Sequence, residues 1–391
     1  MTTRRAESQP ADFADVRASN LAVVLRRLRA HGPSSRAAIA ASTGLTKATV
    51  SSLAGELIGH RLVRETGLSG NRIGRPATVL ALDGSAYASI GIQVSADQIT
   101  ALAVDYRGDR LLLWHRASHP RRSVSEIIAL AQRAATRVRQ QGRHVLGLAV
   151  AVPGLVEETG MVRVSPALGW SDLDLREQVA GSLRQSALAV SVTNQAALAA
   201  LAEQRHGGHP EANLAYVSGT AGLEAGLIVD GRLLRGGHGY TGQLGRFTLG
   251  PADAPRLGDE AGVEPLVRRA LPDLDLESPA DLGPAVEQVA IRARAGDANA
   301  LAALRHAGGY LGQGLALLAN LVNPEVIVLG DHFATLAEWL IPDAERELAR
   351  HACPDSARLV ASSLGFHAAA LGGAVSHLDQ VDAGRLPGSI D

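Results

Sequence analysis

The chain has 391 residues with a formal net charge of -1, and 46% of them are hydrophobic and 20% charged. That length allows two or three domains, and the composition excludes a disordered chain. A single cysteine, Cys353, excludes an internal disulfide and any multi-cysteine zinc site, and no secretory pattern or run of roughly 18 apolar residues occurs, so a cytoplasmic protein is expected.

Charge is distributed unevenly. Residues 1–83 hold 11 arginines and 1 lysine against 6 acidic residues, while the remainder is net acidic. A basic head on an acidic body is the asymmetry of a chain whose one end meets a polyanion. After a polar stretch, Met1–Asp12, the segment Asp15–Ala30 places Leu21, Val24, Leu25 and Leu28 at helical spacing, and His31-Gly32-Pro33 ends that helix. From Ser35 to His60 the pattern predicts two helices with a tight turn. Ser35 caps the first, which runs through Ala41, and Gly44 takes the left-handed position after it. Thr46 caps the second, whose apolar residues Val50, Leu53, Leu57 and Ile58 share a face. The other face carries Lys47, the only lysine of the chain, with Ala48, Thr49, Ser51 and Ser52. Short side chains suit a helix that enters a major groove about 12 Å wide. Ser35, Arg36, Thr46, Lys47, Ala48, Thr49, Ser51 and Ser52 are therefore the expected DNA-contacting set of a helix-turn-helix. The alternative is a helical hairpin that only packs on a neighbour. Two strands, RLVRET and PATVLAL, follow with GLSGNRIGR between them, a wing whose Arg72 and Arg75 can reach phosphate or a narrow minor groove. The pattern leaves open whether Val79 or the Leu80/Leu82 pair faces inward.

Near Asp83-Gly84 the character changes, giving expected domains 1–83 and 84–391. Ala88–Tyr106 reads as two alternating strands with a turn at Ser95–Asp97, and RGDRLLLWHR as a third. A helix over Ser123–Gln141 and a buried strand VLGLAVAV complete a βββαβ unit. LAYVSG, AGLIVDG, RLLRG, later helices and VIVLGD repeat it. The expectation is an α+β winged helix-turn-helix followed by an α/β actin-like, ribonuclease-H-like two-lobe sugar-kinase fold. Its lobe boundary lies near 195–212, and a C-terminal helix at about 367–380 packs back on the first lobe. Trp114 and Trp339 read as packing residues, and Trp170 as either packing or pocket lining. No histidine pairing suggests a metal.

The stretches GTAGLEAGLIVDGRLLRGG (Gly219–Gly237) with Gly242-Gln243-Leu244-Gly245-Arg246, VPGLVEETGMVRVSPALGW (Val152–Trp170) and ANLVNPEVIVLGD (Ala319–Asp331) resemble the ROK family, which groups sugar-responsive bacterial repressors and sugar kinases. The resemblance runs from about Ser19 to Leu378, and the N-terminal winged domain is what the family's repressors have and its kinases lack. The resemblance also exposes departures. Active members carry Asn-Asp where this chain has Asn194-Gln195, and an amide is no general base. The family's Glu-x-Gly-His appears as Gln243-Leu244-Gly245-Arg246. Its cysteine-rich zinc run is replaced by Pro255–Glu264, with neither thiolate nor imidazole. The turn after the first strand lacks a close glycine pair, and Glu224 stands in the second phosphate loop, where a carboxylate opposes triphosphate.

These readings imply a DNA-binding transcriptional regulator with a catalytically dead sugar-kinase-like sensor and no cofactor. Its partners would be a palindromic double-stranded operator, a sugar or sugar-phosphate effector, and further copies in a homodimer or homotetramer. An ATP-dependent sugar kinase with a DNA-binding head and an effector-independent DNA-binding protein are the alternatives. Two carboxylates lost and one guanidinium gained favour an anionic effector. It would be held by Arg246 with Gly154, Asn194, Gln195 and Gln243 around it, unless Arg246 pairs with Glu264 or Glu224 and closes the pocket.

Overall fold

Capping chemistry sets the first elements. The structure, a computed structural model, describes residues 13–68, 78–96, 98–117, 124–183, 188–251, 253–276 and 282–388. Helix α1 (Phe13–His31) buries Leu21, Val24, Leu25 and Leu28. Strand β1 (Ser34–Ser35) leads into α2 (Arg36–Thr43) and then α3 (Lys47–Gly59). Ser35 Oγ accepts the Ala38 N–H at 3.2 Å, and Gly44 closes α2 at φ 74°, so this helix reaches Thr43 rather than ending at Ala41. Thr46 Oγ1 accepts the Thr49 N–H at 3.1 Å, and α3 buries Val50, Leu53, Ala54 and Leu57 against α1 and α2. Strands β2 (Val63–Leu68) and β3 (Thr78–Leu82) pair antiparallel, and β1 joins β3 on its other edge. Leu80 is fully buried while Val79 and Leu82 are half-buried, which settles the register. Arg72 and Arg75, expected at the wing tip, lie outside the described residues.

The rest is built twice. The first unit contains β4 (Tyr87–Val94), β5 (Gln98–Asp105), β6 (Arg110–Ala117), α4 (Val124–Gln140) and β7 (His144–Val152). A small sheet of β8 (Leu155–Val156), β9 (Met161–Ser165) and β10 (Trp170–Asp174) follows, then α5 (Leu175–Ser182), β11 (Ala189–Asn194) and α6 (Gln195–His206). The second unit contains β12 (Leu214–Ser218), β13 (Glu224–Val229) and β14 (Arg232–Leu233), then α7 (Leu257–Ala261), α8 (Val263–Ala270), α9 (Leu282–Arg294) and α10 (Ala298–Val322). It ends with β15 (Val326–Leu329), α11 (His332–Thr335), α12 (Ala337–His351), β16 (Arg358–Ala361) and α13 (Ala368–Asp382). The sheets run β11-β7-β4-β5-β6 and β14-β13-β12-β15-β16. In each, three antiparallel strands are extended by two parallel ones. The repeat is therefore βββαβαβ, one crossover longer than the βββαβ read from the sequence, because β11 and β16 were missed. All eight residues of β4 are buried, not alternately exposed, because helices cover both faces of its sheet.

The closing helices cross over. α6, from the first unit, packs on β12 and β13 of the second sheet; α13, from the second unit, packs on β4, β7 and β5 of the first. The two helices then pack on each other. Glycines permit these approaches: a Cβ on Gly372 would stand 1.7 Å from the Leu198 carbonyl oxygen, and one on Gly226 1.9 Å from that of Ala196. Trp114, Trp170 and Trp339 are all partly buried against the apolar cores.

Candidate DNA-reading face and effector cleft

On α3 the side chains of Lys47, Ala48, Ser51 and Ser52 are exposed together at the amino-terminal half, opposite the buried stripe. Thr46 and Thr49 join hydroxyls at 2.8 Å, and Thr46 caps the helix. Two expected contacts are already engaged within the domain. The Ser35 hydroxyl caps α2, and the Arg36 guanidinium meets Glu65 at 2.7 Å. Lys47 makes no ion pair among the described residues, so its charge is available at the surface.

Between the two units lies a cleft of about 630 Å³ whose lining includes Gly154, Gln243, Arg246, Glu264 and Glu224. Glu224 is the organising group. It opens β13, is 5% exposed, and lines the cleft from its inner side. Its Oε1 accepts the Gly154 N–H at 3.0 Å and the Gln243 Nε2–H at 3.2 Å, and its Oε2 accepts Asn194 Nδ2–H at 3.0 Å. Burial raises its pKa to about 6, against the pull of those three donors and the Arg246 charge. Gln243, which stands where the resemblance implies a glutamate, donates to this carboxylate.

Four further expectations are corrected. Asn194 does not line this cleft: it is 6% exposed, caps α6 through its Oδ1, and donates to the Gly154 carbonyl at 2.8 Å as well as to Glu224. Gln195 does not line it either, because the first residue of α6 is turned into the packed interior at 6% exposure. Gly154 is glycine for a reason other than close approach to a ligand: at φ 102°, a Cβ would stand 2.3 Å from the Val164 carbonyl oxygen of the small sheet. The suggested closing pairs of Arg246 are not made. Glu264 holds Arg268 at 2.8 Å, one turn along α8, and Arg246 is exposed without an ion pair among the described residues.

The cleft also contains residues that the sequence did not flag. His332 lines it, 9% exposed, with burial pushing its imidazole down to about 4, and Phe366 lies against it at 4.7 Å between ring centres. Thr220 and Arg256 are on the wall, and Thr220 Oγ1 is buried without a hydrogen-bond partner among the described residues. Arg256 belongs to the segment that stands in place of a zinc run. That segment is held by other means: Leu257, Ala261 and Val263 are buried in the second core, and Glu260 meets both Arg269 and His306 at 2.5 Å. Thiolate or imidazole ligands are lacking there, so the residues present do not fit a zinc site.

Comparison with known proteins fits this architecture. A family model described as IclR helix-turn-helix domain matches residues 18–67, and one described as ROK family matches residues 89–379. The chain is 28% identical over 370 residues to the xylose repressor of Bacillus spizizenii, covering 93% of this chain and 95% of the relative. Among solved structures, a ROK family transcriptional regulator, a homologue of the E. coli MLC protein, superposes with a TM-score of 0.80 at 24% identity, covering 95% of this chain and 98% of that one. A ROK family glucokinase from Streptomyces griseus, solved with glucose and AMPPNP, superposes with a TM-score of 0.61 at 23% identity over 73% of this chain and 98% of that one. With the family model spanning both sheets, from Ser89 on β4 to Asp379 on α13, the chain belongs to the ROK family.

Proposed function

We propose that this chain is a sugar-responsive repressor, a DNA-binding transcriptional regulator of carbohydrate genes whose kinase-like domain senses an effector instead of phosphorylating it. The observation that carries this is the capped helix pair with an exposed, lysine-bearing face, joined to a two-lobed domain with a cleft. Likeness over nearly full length to a xylose repressor supports repression and a sugar-related signal. The side chains that read DNA are Lys47, Ala48, Thr49, Ser51 and Ser52, with Thr46 as helix cap, Ser35 and Arg36 at the start of α2, and Arg72 and Arg75 of the expected wing as further contacts. A homodimer or homotetramer binds a palindrome with half-sites about 34 Å apart, or a multiple of that, because one recognition helix reads only a short half-site.

Phosphoryl transfer is absent in this reading. The position of the general base is an amide, Gln195, which is buried at the start of α6, and a base in that role contributes about 10²–10⁴-fold. The effector is an anionic sugar derivative with Arg246 as its charge partner. Selection of the full chain on a random duplex library, followed by footprinting, tests the DNA half: a palindrome protected on both half-sites is expected, and no enriched sequence would sink it. A coupled ADP-release assay with hexoses and amino sugars tests the other half, with no release above background expected.

A further inference from the structure

The walls of the cleft differ in charge from the inside to the mouth. At the inner end, Glu224 uses three of the roughly four acceptor positions of a carboxylate on Gly154, Gln243 and Asn194, leaving one. Thr220 Oγ1, buried on the same lining, has no hydrogen-bond partner among the described residues. Both are groups that a sugar hydroxyl satisfies. At the mouth, two chain segments run side by side: the Leu257 N–H donates to the Phe247 carbonyl at 2.7 Å, and Thr248 bridges Arg256 antiparallel. Arg246 and Arg256 issue from these neighbouring segments, and both line the cleft and are exposed.

Neither arginine has an ion-pair partner among the described residues, and two of the carboxylates nearby are already held by other cations. Glu264 is held by Arg268, and Glu260 by Arg269 and His306. Asp259 accepts the backbone N–H of Arg256 at 3.3 Å. Two guanidiniums without an ion pair beside a cleft are matched by phosphate or carboxylate, which take their planar forks in paired hydrogen bonds. Glu224, Thr220, Arg246 and Arg256 all line this one cleft, so the two ends act on one ligand-sized volume.

We propose that the cleft binds a monosaccharide bearing an acid group in one orientation, hydroxyl end against Glu224 and Thr220, acid end between Arg246 and Arg256. This rests on the effector reading above and adds Arg256 and Thr220 as the residues that set specificity. A sugar phosphate and a sugar acid share the chemistry, and the test separates them.

Titration calorimetry on the full chain would compare glucose, glucuronate and glucose 6-phosphate, the galactose counterparts, and inorganic phosphate. An acidic sugar is expected to bind at least about tenfold more tightly than its neutral counterpart and than free phosphate. Arg256→Ala is expected to remove that preference while leaving the neutral sugar unchanged, and Thr220→Val to weaken both sugars alike. Unchanged acid binding in Arg256→Ala, equal binding of neutral and acidic sugars, or no acidic sugar bound at millimolar concentration would overturn the proposal. Binding of phosphate alone as tight as of the phosphosugar would also overturn it. Operator release measured on the same ligands keeps the two readings apart. Release by a neutral sugar retains an effector but rejects this orientation. Acid binding that leaves operator affinity unchanged retains the orientation but rejects the regulatory role.

Discussion

Glu224 is ionised in the folded protein at a cost, because burial opposes its charge more strongly than three donors and Arg246 support it. Its folded pKa, about 6, lies above the ordinary carboxylate value of 4.5. Between those values the folded state binds more protons than the unfolded one, so the group's contribution is fully present below pH 4.5 and is lost as pH rises through 6. Chemical denaturation of wild type and Glu224→Gln at pH 4.5 and pH 7.5 should therefore show wild type losing about 2 kcal/mol relative to the variant as pH rises. A constant difference would mean that the carboxylate is not desolvated. At the DNA face, Lys47 is the exposed cation of α3. Lys47→Ala should weaken operator binding and reduce the slope of log affinity against log salt by about 1, as expected when one phosphate contact is removed.

At the scale of elements, small residues decide more than large ones. α6 and α13 meet backbone to backbone at Gly372, where a Cβ would fall 1.7 Å from the Leu198 carbonyl oxygen. No flexible side chain can yield there; one helix has to move. Gly372→Ala is expected to cost about 3 kcal/mol, at the upper end of ordinary overpacking, read as a lowered denaturation midpoint. The open surface at Gly181, with nothing within 4 Å of an added Cβ, makes Gly181→Ala the control that should be neutral or stabilising. The helix pair of the DNA-reading domain follows the same logic in reverse: hydroxyl caps at Ser35 and Thr46 and a left-handed glycine at 44 define its ends before any tertiary contact forms.

At the scale of the whole molecule, the exchanged helices tie the cleft to the DNA-reading domain. α6 is capped by Asn194, which holds Glu224, and near its other end Arg205 pairs with Asp379 of α13. At the end of α13, Asp382 accepts from Arg29 of α1 and from the Tyr106 hydroxyl at 2.8 Å, and Arg29 also donates to the Tyr106 carbonyl at 3.0 Å. Asp382 is almost fully buried, so removing its charge leaves the Arg29 guanidinium poorly compensated. Asp382→Asn should destabilise the docked domain by about 3 kcal/mol, seen as faster proteolysis between the domains and a separate early transition in calorimetry. The apolar double replacement Arg29→Met/Asp382→Leu should recover most of that loss, because it removes both charges together.

What was legible in the sequence was whatever local chemistry encodes. Helix caps, the buried stripe of α3, most strands and the basic head all depend on residues within a turn or two of each other. The repeated unit was visible for the same reason, although β11 and β16 were not, since a short parallel strand at the edge of a sheet carries little pattern of its own. The cleft was half legible. Gln243 and Arg246 were identified because they stand in a recognisable motif, and the structure brings both to the lining. Asn194 and Gln195 are grouped with them because they stand where the resemblance implies the Asn-Asp of active members. Whether a side chain at a strand–helix junction faces the cleft or the core is decided by what packs on it, and here Glu224 and Gly154 draw Asn194 inward while α6 buries Gln195. His332, Arg256 and the Arg29–Asp382 joint depend on contacts between residues far apart in the chain, and the exchange of α6 and α13 depends on glycines whose need appears only when two backbones meet. Local sequence determines which elements form and where they end; only the tertiary structure decides which of their polar groups are satisfied within the protein and which remain for a ligand.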